Sequence, residues 1–556
     1  MEGISMDSLL VLLIGLVIYA LVYWGYVKWY DKNVVESNPK RATPAHTYMD
    51  GVEFFPTNRY ILFGFQWKSI AALGPVVGPI VAIQWGWLPA LLWILFGNIL
   101  IGWIHDYNSI MASLRSEGSS FGPITYELIS PRARTILVSY ILFYLILILS
   151  SFANVVAGTF ASYPVTPIPV LVVTLTGILS GYLVYKFKTN IVYTTAIAVL
   201  LMIAGIWLGM AFPFTVPKDI AFDFWVFWTL FFCFLGAVLP IWVFIQPINY
   251  LSFYLVYFGI IGMIAGIFVG VPDFSRVAYT TFFDLKIAAS GPLWPMLFVT
   301  IACGAISGWH SLIGSSVTSK QLDCESDAVF VGAGAMLGEG ILAIVSLITV
   351  AILTPDMVKG LAPAGIFITG GSKLLQYVGL PLAVGSAYAS VMIIILAITI
   401  MHIALRISRL SMADLAGPAL GGIFKNVYVS AIVVSFVVYL VTSPRFGATF
   451  GYIWGTFGGA NQLLAGLALM IATLWLMNNK RPAIFTAIPM IFMLVTTMVA
   501  LTYLSYTGFT IYMANPAMIG QLIAGTINVL LLILAAFMCY EGAKAFSRCG
   551  AKAKKK

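Results

Sequence analysis

Leu73 to Gln84 reads LGPVVGPIVAIQ, a stretch apolar enough to lie in a membrane yet interrupted twice by a Gly-Pro step. Proline has no N–H to give to a helix and glycine weakens one, so the stretch predicts a transmembrane helix broken part-way along. Leu235 to Gln246, LGAVLPIWVFIQ, repeats its outline to within one residue: Leu-Gly, then Pro-Ile, then Ile-Gln. Interrupted spans at matching positions of two halves mark a transporter built from inverted repeats, with its substrate held near the breaks.

The surroundings are of the same kind. The chain has 556 residues, 61% hydrophobic and 9% charged, where a soluble protein carries about 25% charged residues. That excludes a soluble enzyme, a disordered chain and a disulfide scaffold. The cysteines, Cys233, Cys303, Cys324, Cys539 and Cys549, are odd in number and lack CxxC spacing, so they read as packing thiols. Apolar runs of about 20 residues predict an all-α, polytopic membrane protein of about fifteen spans, among them 8–29, 66–84, 86–112, 222–245, 292–319, 327–353, 379–403 and 424–442. The first lacks a basic flank before it and reads as a span, not a cleaved signal.

The two motifs lie five spans apart, and an odd shift inverts orientation. The chain then divides into an N-terminal helix with a cytoplasmic loop (1–65), a first five-helix repeat (66–212), a second, inverted one (222–403), and a final part (404–556) with a cytoplasmic segment, four peripheral helices and a basic tail. A formal net charge of +9 would suggest nucleic acid in a soluble protein. Alternating the loops across fifteen spans instead puts 23 of the 29 Lys and Arg on one side. The positive-inside rule makes that side cytoplasmic, with the N-terminus outside and the tail Lys552 to Lys556 inside. Anionic membrane lipid is thus a partner and nucleic acid is not. Residues 272–290 leave room for a lid helix outside, and 404–425, with Arg406, Arg409 and Asp414, read as an interfacial helix.

Ionisable groups inside the spans are few. Cys303 to Ser319, CGAISGWHSLIGSSVTS, is a third interrupted segment, in which Ser307, Ser311, Ser315 and Thr318 would share one helix face. Such a face is either a small-residue packing surface or a cation or substrate site. Glu339 stands mid-span, where a carboxyl favours its neutral form and can exchange a proton. His310 stands in the broken ninth span. His105 and Asp106 close the third span at its cytoplasmic end, where Asp106 is a gate carboxylate or an interfacial residue, and His402 ends the eleventh. No HExxH, Walker or carboxylate-cluster motif occurs, so an enzyme and an ATP-driven pump are both excluded and no cofactor is expected. Whether a metal binds is undecided by these residues.

NPKRATPAHTYMDGVEFFPTNRYILFGFQWKSIAALGPVVGPIVAIQWG from Asn38 resembles the signature of the carbon starvation protein A (CstA) family. GAVLPIWVFIQPINYLS, ACGAISGWHSLIGSSVTSK, EGILAI, ALRISRLSMADL and YIWGTFGGANQLLA extend the resemblance over roughly residues 38–480, in family order. It implies a secondary transporter of the cytoplasmic membrane with a LeuT-like inverted-repeat core, of the amino acid-polyamine-organocation superfamily, carrying peptides or pyruvate in carbon starvation. On that reading the substrate, a short peptide or a 2-oxo acid, is lined by Gly74, Pro75, Gly78, Gly236, Pro240 and Trp242. Ser307, His310, Ser311 and Ser315 form a cation or proton site, Glu339 and Asp106 couple or gate, and H⁺ or Na⁺ is the coupling ion. The competing reading is a nutrient sensor without transport, for which the loops offer no output module.

Overall fold

The computed structural model describes residues 7–51, 53–282, 291–443 and 450–554. Regular structure among them is helical, with two isolated bridges, Asp7 to Asp273 and Thr57 to Leu322. Lipid offers nothing to bond an open N–H or C=O, so so apolar a chain must satisfy its backbone within helices. Among the described residues twelve helices are long and apolar enough to cross a membrane, or thirteen if Arg59–Ile70 and Gly74–Trp85, bent by 44°, make one span.

Fifteen were expected, and the shortfall lies in the ninth and twelfth. The ninth is two short helices, Leu293–Thr300 and Gly308–Ser316, of 8 and 9 residues. The twelfth, Val427–Thr442, has 16 residues, a length of about 24 Å against a hydrocarbon core of about 30 Å. Two helices arise where loops were expected, Phe121–Leu128 and Pro363–Tyr377. Residues 272–282 of the expected lid are not helical, and the rest of that segment lies outside the described residues. The eleventh span runs unbroken from Leu382 to Leu415, so Arg406 and Arg409 belong to it and not to a separate interfacial helix; Gly417–Phe424 follows after a turn at Gly417, φ 59°.

Pro131–Ser162, Leu382–Leu415 and Phe450–Asn478 form the centre, with Pro131–Ser162 lying against both of the others. Phe450–Asn478 was expected at the periphery, but it is buried from Tyr452 to Leu476. Its glycines permit this: a Cβ on Gly458 would lie 2.0 Å from the Val299 carbonyl oxygen. Ile191–Ala211, by contrast, turns Val192, Tyr193, Ile197 and Leu200 outward.

The two broken helices meet at their breaks. A Cβ on Gly74 would stand 2.2 Å from Cys303 Sγ, and one on Gly78 2.8 Å from the Thr300 carbonyl oxygen. The seventh span does not take part in this way. Lys218–Val238 simply ends near the expected break and Ile245–Gly270 begins after a turn. Both motifs therefore interrupt a helix, but the second does so between two spans.

Candidate functional site

Breaking a helix inside a membrane frees backbone groups that must find partners. At the first break the Ser69 carbonyl accepts from Trp309 Nε1 at 2.8 Å. At the second, Phe298 and Ile301 carbonyls accept from Trp93 Nε1 (3.1 and 3.3 Å) and Gln462 Nε2 (2.7 and 3.3 Å), and the Thr300 carbonyl from Trp454 Nε1 at 3.3 Å. Asn461 Oδ1 accepts from the Trp309 backbone N–H at 3.1 Å, which caps helix Gly308–Ser316, and from Tyr144 Oη at 2.9 Å. Indoles and side-chain amides thus hold the unwound segment 301–307 open as a built feature.

Beside this segment four ionisable side chains share one dry space. Asp106 on Trp103–Leu114 accepts from His105 Nδ1 at 2.8 Å on one oxygen and from His310 Nδ1 at 2.9 Å on the other. The opposite nitrogen of His310, Nε2, lies 3.2 Å from Glu339 Oε2. All four are buried. The His310–Glu339 contact is close but poorly aligned, and no other donor among the described residues reaches either Glu339 oxygen. With Nδ1–H committed to Asp106, Nε2 and Glu339 have one position for a proton between them. Cys303 adds a thiol, and its sulfur, a His310 nitrogen and a Glu339 oxygen lie within 4.8 Å of one another. Three donors so placed are able to share a cation as well as a proton.

The expected residues separate. Asp106, for which a gate carboxylate and an interfacial residue were both open, is buried, and its helix continues to Leu114. Ser307 exchanges hydrogen bonds with Asn461 (3.2 and 3.0 Å) and faces Cys303 at 3.5 Å. Ser311 and Ser315 spend their hydroxyls on the Gly308 and Ser311 carbonyls, at 2.7 and 2.6 Å. Ser307 precedes the helix and Thr318 follows it, so the expected four-residue face is not continuous. Gly74, Pro75 and Gly78 are buried at the crossing of the breaks. Gly236 packs on His402, while Pro240 and Trp242 lie exposed, Trp242 edge-on to Tyr182, away from the buried cluster. Trp93, Trp309, Trp454, Asn461 and Gln462 were missed; a polar Asn-Gln pair inside an apolar span was the available signal.

One end of the bundle is closed by charge. Glu325, buried, accepts from Arg115 Nε at 3.1 Å and Nη2 at 2.5 Å and from the Asn38 N–H at 3.1 Å, with Arg41 3.4 Å away. Lys320 pairs with Glu53 at 2.6 Å, His46 with Asp323 at 2.8 Å, and Arg481 with Glu36. Residues 36–59 are thereby strapped over 318–327. Burial pushes the Asp327 carboxyl above its ordinary value, although the nearby Arg59 pulls it down.

Paired broken helices enclosing a dry proton-bearing cluster, in a multi-pass membrane bundle, define a membrane transporter and not an enzyme. The chain belongs to the carbon starvation protein CstA family, whose model matches residues 7–369 and 357–500. It is 34% identical to the pyruvate/proton symporter BtsT of Escherichia coli (strain K12) over 380 residues, covering 66% of this chain and 52% of that protein. It thus spans about half the length of that relative. To the peptide transporter CstA of the same strain it is 30% identical, covering 90% of this chain and 81% of the relative. To that of Bacillus subtilis (strain 168) it is 29% identical over 98% of both. Among solved structures, an Eremococcus coleocola manganese transporter covers 89% of this chain and 99% of its own at 13% identity and a TM-score of 0.46, too slight a likeness to carry an argument.

Proposed function

We propose that the chain is a secondary active transporter of the cytoplasmic membrane for a small carboxylate-bearing nutrient, a short peptide or a 2-oxo acid such as pyruvate, driven by protons. The observation that carries this reading is the buried Asp106–His310–Glu339 relay, in which neither Glu339 oxygen has a well-aligned hydrogen bond. A carboxyl kept dry and unsatisfied costs several kcal/mol unless it has work to do there. Taking up a proton between Nε2 and Oε2 makes the pair one charge more positive, and releasing it restores the negative state. The names of the relatives support both the substrate chemistry and, for BtsT, the proton. The cytoplasmic side is the one carrying the strap and the basic tail.

The finer architecture belongs to the same proposal. The element order supports two inverted halves, redrawn as 59–270 and 293–478. Each has a broken helix, a second helix, a short helix in a loop (Phe121–Leu128; Pro363–Tyr377), a long helix (Pro131–Ser162; Leu382–Leu415) and a closing pair. The hairpin 167–211 is inserted in the first half. This is a LeuT-like plan in which the ninth span, not the seventh, partners the second. Gly74, Pro75 and Gly78 line the proposed path where the breaks part, and the helix starts at Gly74 and Gly308 turn positive dipole ends towards it.

Proteoliposomes with an inward proton gradient test the reading. Wild type accumulates labelled pyruvate or a labelled dipeptide. Glu339→Gln retains exchange of the same label without a gradient but loses gradient-driven accumulation by at least about tenfold, a change of about 1.4 kcal/mol. Accumulation by Glu339→Gln at the wild-type level refutes proton coupling through this residue. Dependence on divalent ions, removed by a chelator, would instead assign Cys303, His310 and Glu339 to a cation.

A further inference from the structure

Lys68 is on the last turn of Arg59–Ile70, just before the first break, and is buried. Its Nζ donates to Thr399 Oγ1 at 2.7 Å, and no carboxylate among the described residues lies within 4 Å. An ammonium has three hydrogens to place, and one is placed. Thr399 begins a polar line down one face of Leu382–Leu415, continued by His402, Arg406 and Arg409 at intervals of three or four residues. Arg406 Nη1 donates to the Gly236 and Leu239 carbonyls at 3.2 and 3.0 Å, and Arg409 Nε to the Ala237 carbonyl at 3.2 Å. Those two cations are satisfied by the open end of helix Lys218–Val238. His402 adds no free donor: Nε2 spends its N–H on Asn249 Oδ1 at 3.1 Å, which leaves the buried Nδ1 as an acceptor. Lys68 thus leaves donor capacity unused in a dry place, with Arg406 and Arg409 further along the same line and no ion-pair partner of its own among the described residues.

A buried cation without a counter-ion is destabilising, and removing it from a purely structural site stabilises a protein. Its presence calls for an anion that comes and goes. We propose that Lys68, held in place by Thr399, receives the carboxylate of the transported molecule, as a monocarboxylate anion site between the first broken helix and Leu382–Leu415. This rests on the transporter reading above, but it moves the recognition of the carboxylate away from the glycine breaks and onto a side-chain cation. A charge-assisted bond of this kind also separates an acid from its amide, which apolar lining cannot.

The purified full-length protein is melted in detergent with pyruvate, acetate, a dipeptide, or pyruvamide as the uncharged control, for wild type, Lys68→Met, Lys68→Arg and Glu339→Gln. Carboxylates are expected to raise the melting temperature of wild type and Glu339→Gln, and pyruvamide is not. Lys68→Met should melt no lower than wild type without ligand and lose the response, its half-saturating pyruvate rising by about tenfold or more, the loss of one bond to a charged group. Lys68→Arg should retain a weakened response. A Lys68→Met protein that responds like wild type overturns the proposal, and so does a wild type that no carboxylate stabilises. A Lys68→Met protein that melts well below both wild type and Lys68→Arg makes Lys68 structural and overturns it too. If carboxylates act through Lys68 but no label crosses liposomes, the transporter reading fails and the site stands. If Lys68→Met transports with unchanged half-saturation, the site fails and the transporter reading stands.

Discussion

Glu339 and Glu325 are both buried glutamates beside basic side chains, one in the middle of the bundle and one at its strapped end. Glu325 is over-provided, with one guanidinium bonded twice, a second at 3.4 Å and a backbone N–H. Guanidinium does not give up its proton, so the basic side of that network keeps its charge. Glu339 has a single basic neighbour, an imidazole, and no well-made hydrogen bond. Its network is able to gain or lose a proton with small movements. The difference separates charge held as a fastener from charge left able to change, and it lies in the partner, not in the glutamate.

The largest effect expected from breaking that contrast is at Asp106. Asp106→Asn puts an amide NH₂ against one of two imidazole N–H groups that now share the carboxylate. A buried donor left unsatisfied costs about 1–3 kcal/mol. The melting temperature should fall and gradient-driven uptake should disappear together. Glu339→Gln should lose the uptake with little change in melting. If Asp106→Asn transports normally with only a lower melting temperature, the central network is a fastener like the other and the contrast is gone.

Much of this was legible in the sequence. Apolar runs marked a helical segment at every expected span, and the Gly-Pro steps at 74–79 and the Gly-Ser run at 303–319 marked both real breaks. Lys68, however, was not singled out, and Asp106 was left between a gate and an interfacial residue, because the end of an apolar run was read as the end of the enclosed space. Residues 36–59 fold back over that end, so polar residues there are still dry. Gly236 to Pro240 misled for a related reason. A glycine and a proline in an apolar run read alike whether they break a helix in mid-membrane or end one span before the next. The meeting of Asp106 with His310 and Glu339, which lie more than 200 residues further along the chain, is a property of the crossing breaks that no local pattern carries.

A variant with at least as large a cost in stability, but no loss of uptake, should sharpen the contrast from the other side. Glu325→Gln keeps the shape but leaves Arg115 and Arg41 without a counter-charge. Breaking a buried pair costs about 3–5 kcal/mol, and because Arg115 is 11% exposed, the lower end, about 3 kcal/mol, is expected. Thermal unfolding reads this directly. The pH dependence of uptake should keep its shape, since no group that changes charge in transport has been touched. A shifted pH profile would mean that the strap and the central relay are one titrating system.

The smallest effect is on the wet rim of the strap. Glu36 is open to solvent, and its hydrogen bond to Arg481, reinforced by Arg115, holds its carboxyl below the ordinary value of 4.5. A carboxyl lowered on folding contributes stability that is fully present above its unfolded value and is lost as pH falls through the folded one. Wild type and Glu36→Gln should therefore differ slightly at neutral pH and converge in acid below that value. Because solvent and salt screen an exposed pair, the difference should also shrink as salt is added. Glu325→Gln should keep its deficit in salt, since its partners are mostly enclosed. Equal salt sensitivity in the two variants would place Glu325 in water as well, and the strap would then be a loose surface contact and not a closed end.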